Sequence, residues 1–334
     1  MNERLAASFV RFAETEVNGR SPLYQVLAFG VAGDPFSLDF LATLPPEKQQ
    51  PNLLFAAQRH VCGTPRDWPQ FRAGLEAQAD AVRSVMLARR TQTNEAARCA
   101  TLLPVLARLA SPLALIEVGA SAGLCLLPDQ YGYDYGSHRL PAPSAAAPVL
   151  PCRASAMTPL PQALPHVVWR AGLDLDPVDL SDASQRAWLE TLVWPEQQDR
   201  LQRLRAAMAV ALADPPRLVR GDLLTDLPGL ARQAPADATL VVFHSAVLAY
   251  VPDAALRDGF ARTVRDVGAV WVSNEAPGVF PAIRARVPHG GPRGAFLLAV
   301  DGEPVAWTDP HGAWIEWIGQ GRAPHEAGAM RRAG

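Results

Sequence analysis

Through about residue 110 the hydrophobic positions recur with a helical period. Phe71, Leu75, Val82, Val85 and Met86 share one face of a helical repeat, and Leu102, Leu103, Val105 and Leu106 cluster in a second helix signal, Arg98 to Ala110. Pro45, Pro46 and Pro51 interrupt the segment between helices. Nothing strand-like precedes Leu113. From there, short apolar runs ending in acids or small polar residues alternate with helical stretches. The runs are "LALIEV", "VVWRAGLDL", "RLVRGD", "LVVFHS" and "AVWVSNE". Between them the spacing predicts helices over Ser181 to Val193, Pro195 to Leu212 and Pro252 to Val267, the last with Leu256, Phe260 and Val264 in line. This alternation predicts a parallel sheet with crossover helices. At the end, "AFLLAV", "EPVAW" and "AWIEWI" are separated by Asp301-Gly302 and Asp309-Pro310, turn chemistry that predicts added antiparallel strands.

These shifts predict a helical N-terminal cap domain over 1–110 and an α/β domain over 111–320. The Pro-, Ala- and Tyr-rich stretch 131–165 reads as an insertion, and 321–334 as a flexible tail. The 334 residues, 49% hydrophobic and 19% charged, suit one large or two modest domains. A net charge of -2, with no dense basic stripe, argues against a nucleic-acid partner. The N-terminus mixes acids and bases and lacks an apolar secretory core, and no apolar run is long enough to span a bilayer. Cys62, Cys99, Cys125 and Cys152 form no C-x-x-C pair, which argues against a disulfide framework or a zinc site. The expected setting is a reducing cytoplasm, with no membrane partner and no metal.

The stretch Gly119-Ala120-Ser121-Ala122-Gly123 fits two chemistries. In a hydrolase elbow, G-x-S-x-G, Ser121 would be a nucleophile. That elbow follows several earlier strands, and its oxyanion donors come from an upstream loop. Here no strand precedes Leu113, and the only "HGG", His289 to Gly291, lies downstream. A dinucleotide fingerprint needs glycine where Ser121 and Leu124 stand, and a phosphate-binding P-loop needs a lysine that the turn lacks. The remaining reading is a turn that holds S-adenosylmethionine, a ligand without phosphate. Gly119 and Gly123 are the permissive points, Ala120 and Ser121 are small fillers, and Glu117 at the strand end faces the ligand's cationic amino-acid end. Asp174 after the next strand can accept two ribose hydroxyls, with Asp176 as its competitor, and Asp222 can accept from the adenine amino group. The acids fall at carboxyl ends of successive strands, where open α/β sheets place ligands.

This order resembles the class I S-adenosylmethionine-dependent methyltransferase fold, in "IEVGASAG", "GLDLDP" and "RGDLL". The resemblance implies an α/β, Rossmann-like sheet, mostly parallel with antiparallel strands at its C-terminal end, beside an N-terminal helical domain. The long separation of the first turn from Asp174 departs from the common pattern. "SPLYQVLA", "PNLLFAA", "TQTNEAARC", "EVGASAGL", "YDYG", "LVWPEQ", "GDLL" and "VVFHSAVLAYV" together resemble a methyltransferase-like bacterial domain-of-unknown-function family, 2332. That resemblance implies a fold but no substrate.

His244 and Ser245 interrupt an apolar strand at its carboxyl end. There His244 can serve as general base for a small-molecule methyl acceptor, or as a buried histidine satisfied by its surroundings. Asn94, in a polar cluster with Gln92, Thr93, Glu95 and Arg98, either caps a helix or lines the cofactor pocket. Glu275, after "VWVSN", is a similar candidate. The cap and the insertion are expected to shape the acceptor pocket. The sequence thus predicts a cytosolic S-adenosylmethionine-dependent methyltransferase. The alternatives are a non-catalytic S-adenosylmethionine or nucleoside sensor on the same fold, and a serine hydrolase using Ser121.

Overall fold

A computed structural model describes residues 2–287 and 290–318. The chain forms two compact units. One runs from the N-terminus through Thr93 and takes in Asp182–Gln202, and the other comprises Asn94–Ser181 and continues from Arg203.

The first unit is helical. Its helices are Asn2–Thr15, Pro22–Gly33, Pro35–Ala42, Pro51–Cys62, Trp68–Ala77, Ala79–Ala88 and Ala183–Leu192. Ser21, Asp34 and Asp67 cap three of these through side-chain oxygens that accept backbone N–H groups, each followed by proline near the helix start. Phe9, Phe12, Tyr24, Phe55 and Phe71 build the core. The apolar face that reads as continuous from Phe71 to Met86 is two helices separated at Gln78. Residues 182–202 join this unit through specific polar contacts. Arg59 donates to the carbonyls of Thr191 and Val193 at 3.0 and 2.7 Å. Glu196 accepts from Ser21 Oγ and the Leu23 amide, and the Trp194 indole donates to Asn52. "SPLYQVLA", "PNLLFAA" and "LVWPEQ", far apart in sequence, meet here.

The expected boundary at residue 110 is displaced, because the helix Arg98–Leu106 belongs to the second unit. All its residues are buried, so it has no solvent face to present at a domain edge.

The second unit contains β1 (Leu113–Val118), β2 (Gly132–Asp134), β3 (Arg139–Leu140), β4 (Val149–Pro151), β5 (Arg153–Ala154) and β6 (Val167–Asp174). It continues with β7 (Arg217–Arg220), β8 (Thr239–Ser245), β9 (Val270–Glu275), β10 (Phe296–Val300), β11 (Glu303–Thr308) and β12 (Trp314–Trp317). A nine-stranded sheet has the order β5-β12-β11-β10-β9-β8-β1-β6-β7. It is parallel from β9 through β7, and β10, β11 and β12 add on antiparallel as the turn residues predict. The chain builds outward from β1 in both directions, to β6 and β7 on one side and to β8 and β9 on the other. This mixed α/β, Rossmann-like sheet therefore has a switch point at β1, whose carboxyl end is where such sheets bind ligands. Every residue of β1 is buried, as a central parallel strand requires.

Register sets which side chains share a face. Ile116, Val118, Leu173, Val242 and Trp271 pack into one apolar layer with Phe260 and Val264 of the Ala254–Asp266 helix. Glu117, Asp174, Ser245 and Asn274 alternate to the opposite face. The segment 131–165 is folded, with β2, β3 and β4 forming a small sheet of their own. Its buried tyrosines 131, 133 and 135 donate their hydroxyls to the carbonyls of Leu124, Pro128 and Ala100. The tail predicted over 321–334 lies outside the described residues.

Candidate functional site

The turn after β1 is left-handed at three residues, Gly119 (φ 71°), Ser121 (φ 50°) and Gly123 (φ 69°). A side chain at Gly119 is excluded twice, by that φ and by Val247, whose Cγ2 would stand 2.3 Å from an added Cβ. The room expected for a ligand at Gly119 is thus filled by Val247. Ser121 has no glycine-like freedom, and its conformation costs about 1–2 kcal/mol. Neighbours hold it there. Its amide donates to Asp174 Oδ2 at 2.8 Å. Asn94 grips the turn with both ends of its amide, donating from Nδ2 to Ser121 Oγ at 2.9 Å and accepting from the Ala122 amide at 3.0 Å. Gly119 and Gly123 donate to the carbonyls of Leu173 and Ala120. Each N–H from Gly119 to Gly123 is therefore taken by the protein itself, and none is left to gather around a phosphate.

Ser121 Oγ bonds to an amide, and among the described residues no imidazole reaches it. That is not the geometry of an activated nucleophile, which needs a base within hydrogen-bond reach. His289 lies outside the described residues.

Glu117 is 7% exposed, at the carboxyl end of β1. Its Oε2 is buried without a partner, and among the described residues no hydrogen bond or ion pair reaches the carboxylate. Burial pushes its pKa well above the usual carboxylate range, with Cys125 and Asp174 adding to the rise and Arg98 opposing it. Arg98 is also buried. Its guanidinium donates to the carbonyls of Pro310 and Ser245 at 2.9 and 3.2 Å, and among the described residues no carboxylate is bonded to it.

The other acids divide. Asp174 faces the turn and accepts from the amides of Ser121 and Asp176. Asp176 sends its carboxylate to Arg220 at 2.8 Å, where both side chains are exposed. Asp222 sits beyond β7 and accepts from the Leu224 amide at 2.7 Å, while its own amide donates to Asp226. The carboxyl ends of β1, β6 and β7 thus bring Glu117 and Asp174 to one face, with Asp222 in the adjacent turn.

His244 lies elsewhere. It is fully buried on the opposite face of β8. Its Nδ1 donates to Glu275 Oε1 at 2.7 Å, and its Nε2 accepts from the Trp271 indole at 3.0 Å. An indole N–H can only donate, so Nε2 carries no proton and the tautomer is set. Both ring nitrogens are engaged inside the core, and neither faces Glu117. Of the two readings of His244, general base or buried histidine satisfied by its surroundings, this geometry is that of the second. Glu275 Oε1 also accepts from the amides of Val247 and Leu248, so the histidine steadies the turn that packs on Gly119. Ser245 and Asn274, next along the strands, turn back to the Glu117 face. Asn274 carried no sequence signal beyond its place at a strand end, and Arg98 stood only as one member of a polar cluster.

Among the described residues, no group of three or more His, Cys, Asp or Glu side chains is placed to hold a metal ion. No helix among them is long and apolar enough to cross a membrane.

An open α/β sheet with polar side chains gathered at a switch point is the arrangement of proteins that bind small molecules at strand carboxyl ends. Residues 6–317 match the family described as "Uncharacterized protein conserved in bacteria (DUF2332)", and the chain belongs to it. No curated protein and no solved structure matches the chain.

Proposed function

We propose that this protein is an S-adenosylmethionine-dependent methyltransferase with a class I-type fold, acting on a small molecule. The observation that carries this is Glu117, a buried carboxylate with no partner at the switch point of the sheet. Burying an acid unpaired is costly, and a cationic ligand group removes the cost. The ammonium of the ligand's amino-acid end is such a group. The consumed N–H groups of the 119–123 turn support a ligand without phosphate at that position. The strand order β7-β6-β1-β8-β9 is also that of a doubly wound nucleoside-binding sheet.

Glu117 would hold the amino-acid end. Asp174 would take the ribose hydroxyls through the lone pairs that its two backbone bonds leave over. Asp222 would take the adenine amino group with the oxygen not bonded to Leu224. Ala120, Ser121 and Gly123 would form the wall between them, with Asn94 fixing that wall from behind and Gly119 setting the bend against Val247. When bound, S-adenosylmethionine supplies an electrophilic methyl carbon for in-line displacement. The chain's own part is alignment and exclusion of water, which can supply effective molarities of about 10⁵–10⁸ M. His244 is engaged in the core, so an acceptor must be nucleophilic without an imidazole base.

That engagement also favours a second reading, a nucleoside-binding protein without turnover. Transfer of label from methyl-labelled S-adenosylmethionine to any extract component separates the two. A serine hydrolase would require Ser121 to leave Asn94, and labelling of Ser121 by a fluorophosphonate probe would reveal it.

The test is thermal stability with S-adenosylmethionine, S-adenosylhomocysteine, NAD and ATP. At 100 times its dissociation constant a ligand stabilises by about 2.7 kcal/mol. Both sulfur nucleosides should give a shift that Glu117→Gln reduces. No shift with either overturns the proposal.

A further inference from the structure

Beyond Glu117, the same face of the sheet carries a second set of unsatisfied groups, and these are donors. Asn274 is 0% exposed at the end of β9. Its Oδ1 accepts from Thr308 Oγ1 at 2.7 Å, which fixes the amide's orientation. Its Nδ2 is buried with no partner. Ser245, directly opposite on β8, has a buried Oγ that is likewise unpartnered. Arg98 joins them, since its Nη1 donates to the Ser245 carbonyl. Among the described residues its hydrogen bonds go to carbonyl oxygens, with no carboxylate bonded to it. The unpartnered Asn274 amide and Ser245 hydroxyl thus cluster in a buried place beside a guanidinium that meets only carbonyl oxygens among the described residues.

Buried donors without acceptors are uncommon in folded proteins, and a buried cation without a counter-charge is rarer still. Glu117 feels the charge of Arg98, but among the described residues no hydrogen bond or ion pair joins the two, and the guanidinium is turned to the carbonyls of Pro310 and Ser245. The missing component is an anion with two oxygens able to accept from several donors at once. We infer that Arg98, Ser245 and Asn274 form a seat for the carboxylate of a second small molecule, held at the carboxyl ends of β8 and β9. The seat lies on the β8–β9 side of β1, away from Asp174 and Asp222 beyond β6 and β7. Its role as the acceptor's anchor rests on the methyltransferase reading, whereas carboxylate binding itself does not. An acceptor held by its carboxylate is fixed in orientation without an imidazole.

The experiment uses the full chain and thermal stability. Sodium propionate and sodium benzoate are titrated against sodium chloride at equal ionic strength and against uncharged benzamide, each with and without S-adenosylhomocysteine. At least one carboxylate should stabilise saturably where benzamide and chloride do not. Ser245→Ala removes only an unpartnered hydroxyl and should weaken that carboxylate about tenfold, the worth of one charge-assisted hydrogen bond. Asn274→Asp puts an acceptor in place of the donor and should abolish the effect. A wild-type chain indifferent to both carboxylates overturns the inference, as does an unchanged response in Ser245→Ala. If S-adenosylhomocysteine displaces the carboxylate and 5′-methylthioadenosine does not, the nucleoside's own carboxylate fills the seat, and the inference also fails. If neither nucleoside binds while the carboxylate response and its loss in the variants persist, the seat stands and the methyltransferase reading falls.

Discussion

Asp174→Ala probes the fold and the proposed ligand together. The carboxylate accepts from the Ser121 amide at 2.8 Å and from the Asp176 amide at 2.7 Å. The first bond restrains a non-glycine residue at φ 50°. A hydrogen bond to a charged group contributes about 1.5–3 kcal/mol when shielded, and less where water can replace it. Ser121 is buried and Asp176 exposed, so the loss should total about 2–3 kcal/mol. At about 2–4 °C per kcal/mol for a domain of this size, the melting temperature should fall by about 4–12 °C. The ligand effect is separate. Removing the acceptor of two ribose hydroxyls should cost S-adenosylhomocysteine about 100-fold in affinity, or about 2.7 kcal/mol. A ligand concentration that stabilises the wild type by about 2.7 kcal/mol would then stabilise the variant by about 0.4 kcal/mol. Asp176→Ala should leave the nucleoside response intact, because its carboxylate is turned to Arg220. Chemical denaturation with and without the nucleoside measures both quantities. A loss under about 1 kcal/mol refutes the account of the turn. An undiminished nucleoside response refutes the ribose assignment.

Other expectations follow from the same geometry. Glu117 has a native pKa raised above its ordinary 4.5, so the native state binds the extra proton. Stability is therefore fully present below that value and is lost as pH rises from 4.5 towards the raised one. Glu117→Gln should flatten this part of the pH–stability profile, and superimposable profiles would count against the burial argument. Gly119→Ala should cost about 2–5 kcal/mol from the left-handed backbone and the clash with Val247, and Val247→Ala in the same chain should recover the clash part. His244→Phe strands the Trp271 indole and one bond of Glu275, and should cost about 2–5 kcal/mol in denaturant unfolding. A cost below 1 kcal/mol would mean that the buried network contributes little.

The helices, the strands and the site of the opening turn were legible in the sequence because each rests on local physics. Apolar spacing separates helix from strand, and Asp301-Gly302 and Asp309-Pro310 announce reversals within a few residues. Acids at the ends of "LALIEV" and "VVWRAGLD" are visible for the same reason. Partners of buried polar groups are not local. His244 reads equally as a strand-end base or a buried histidine until register brings Glu275 and Trp271 to its two nitrogens from a neighbouring strand. Gly119 reads as space for a ligand until the turn after β8 sets Val247 against it. Arg98 shows nothing of its role until the fold carries Ser245 and Pro310 to its guanidinium. Residues 182–202 are recognisable as one helix and the start of another, yet it takes contacts such as those of Arg59, Ser21 and Asn52 to tie them to the N-terminal helices. Periodicity specifies which atoms are buried, and strand order and register decide which of those atoms meet.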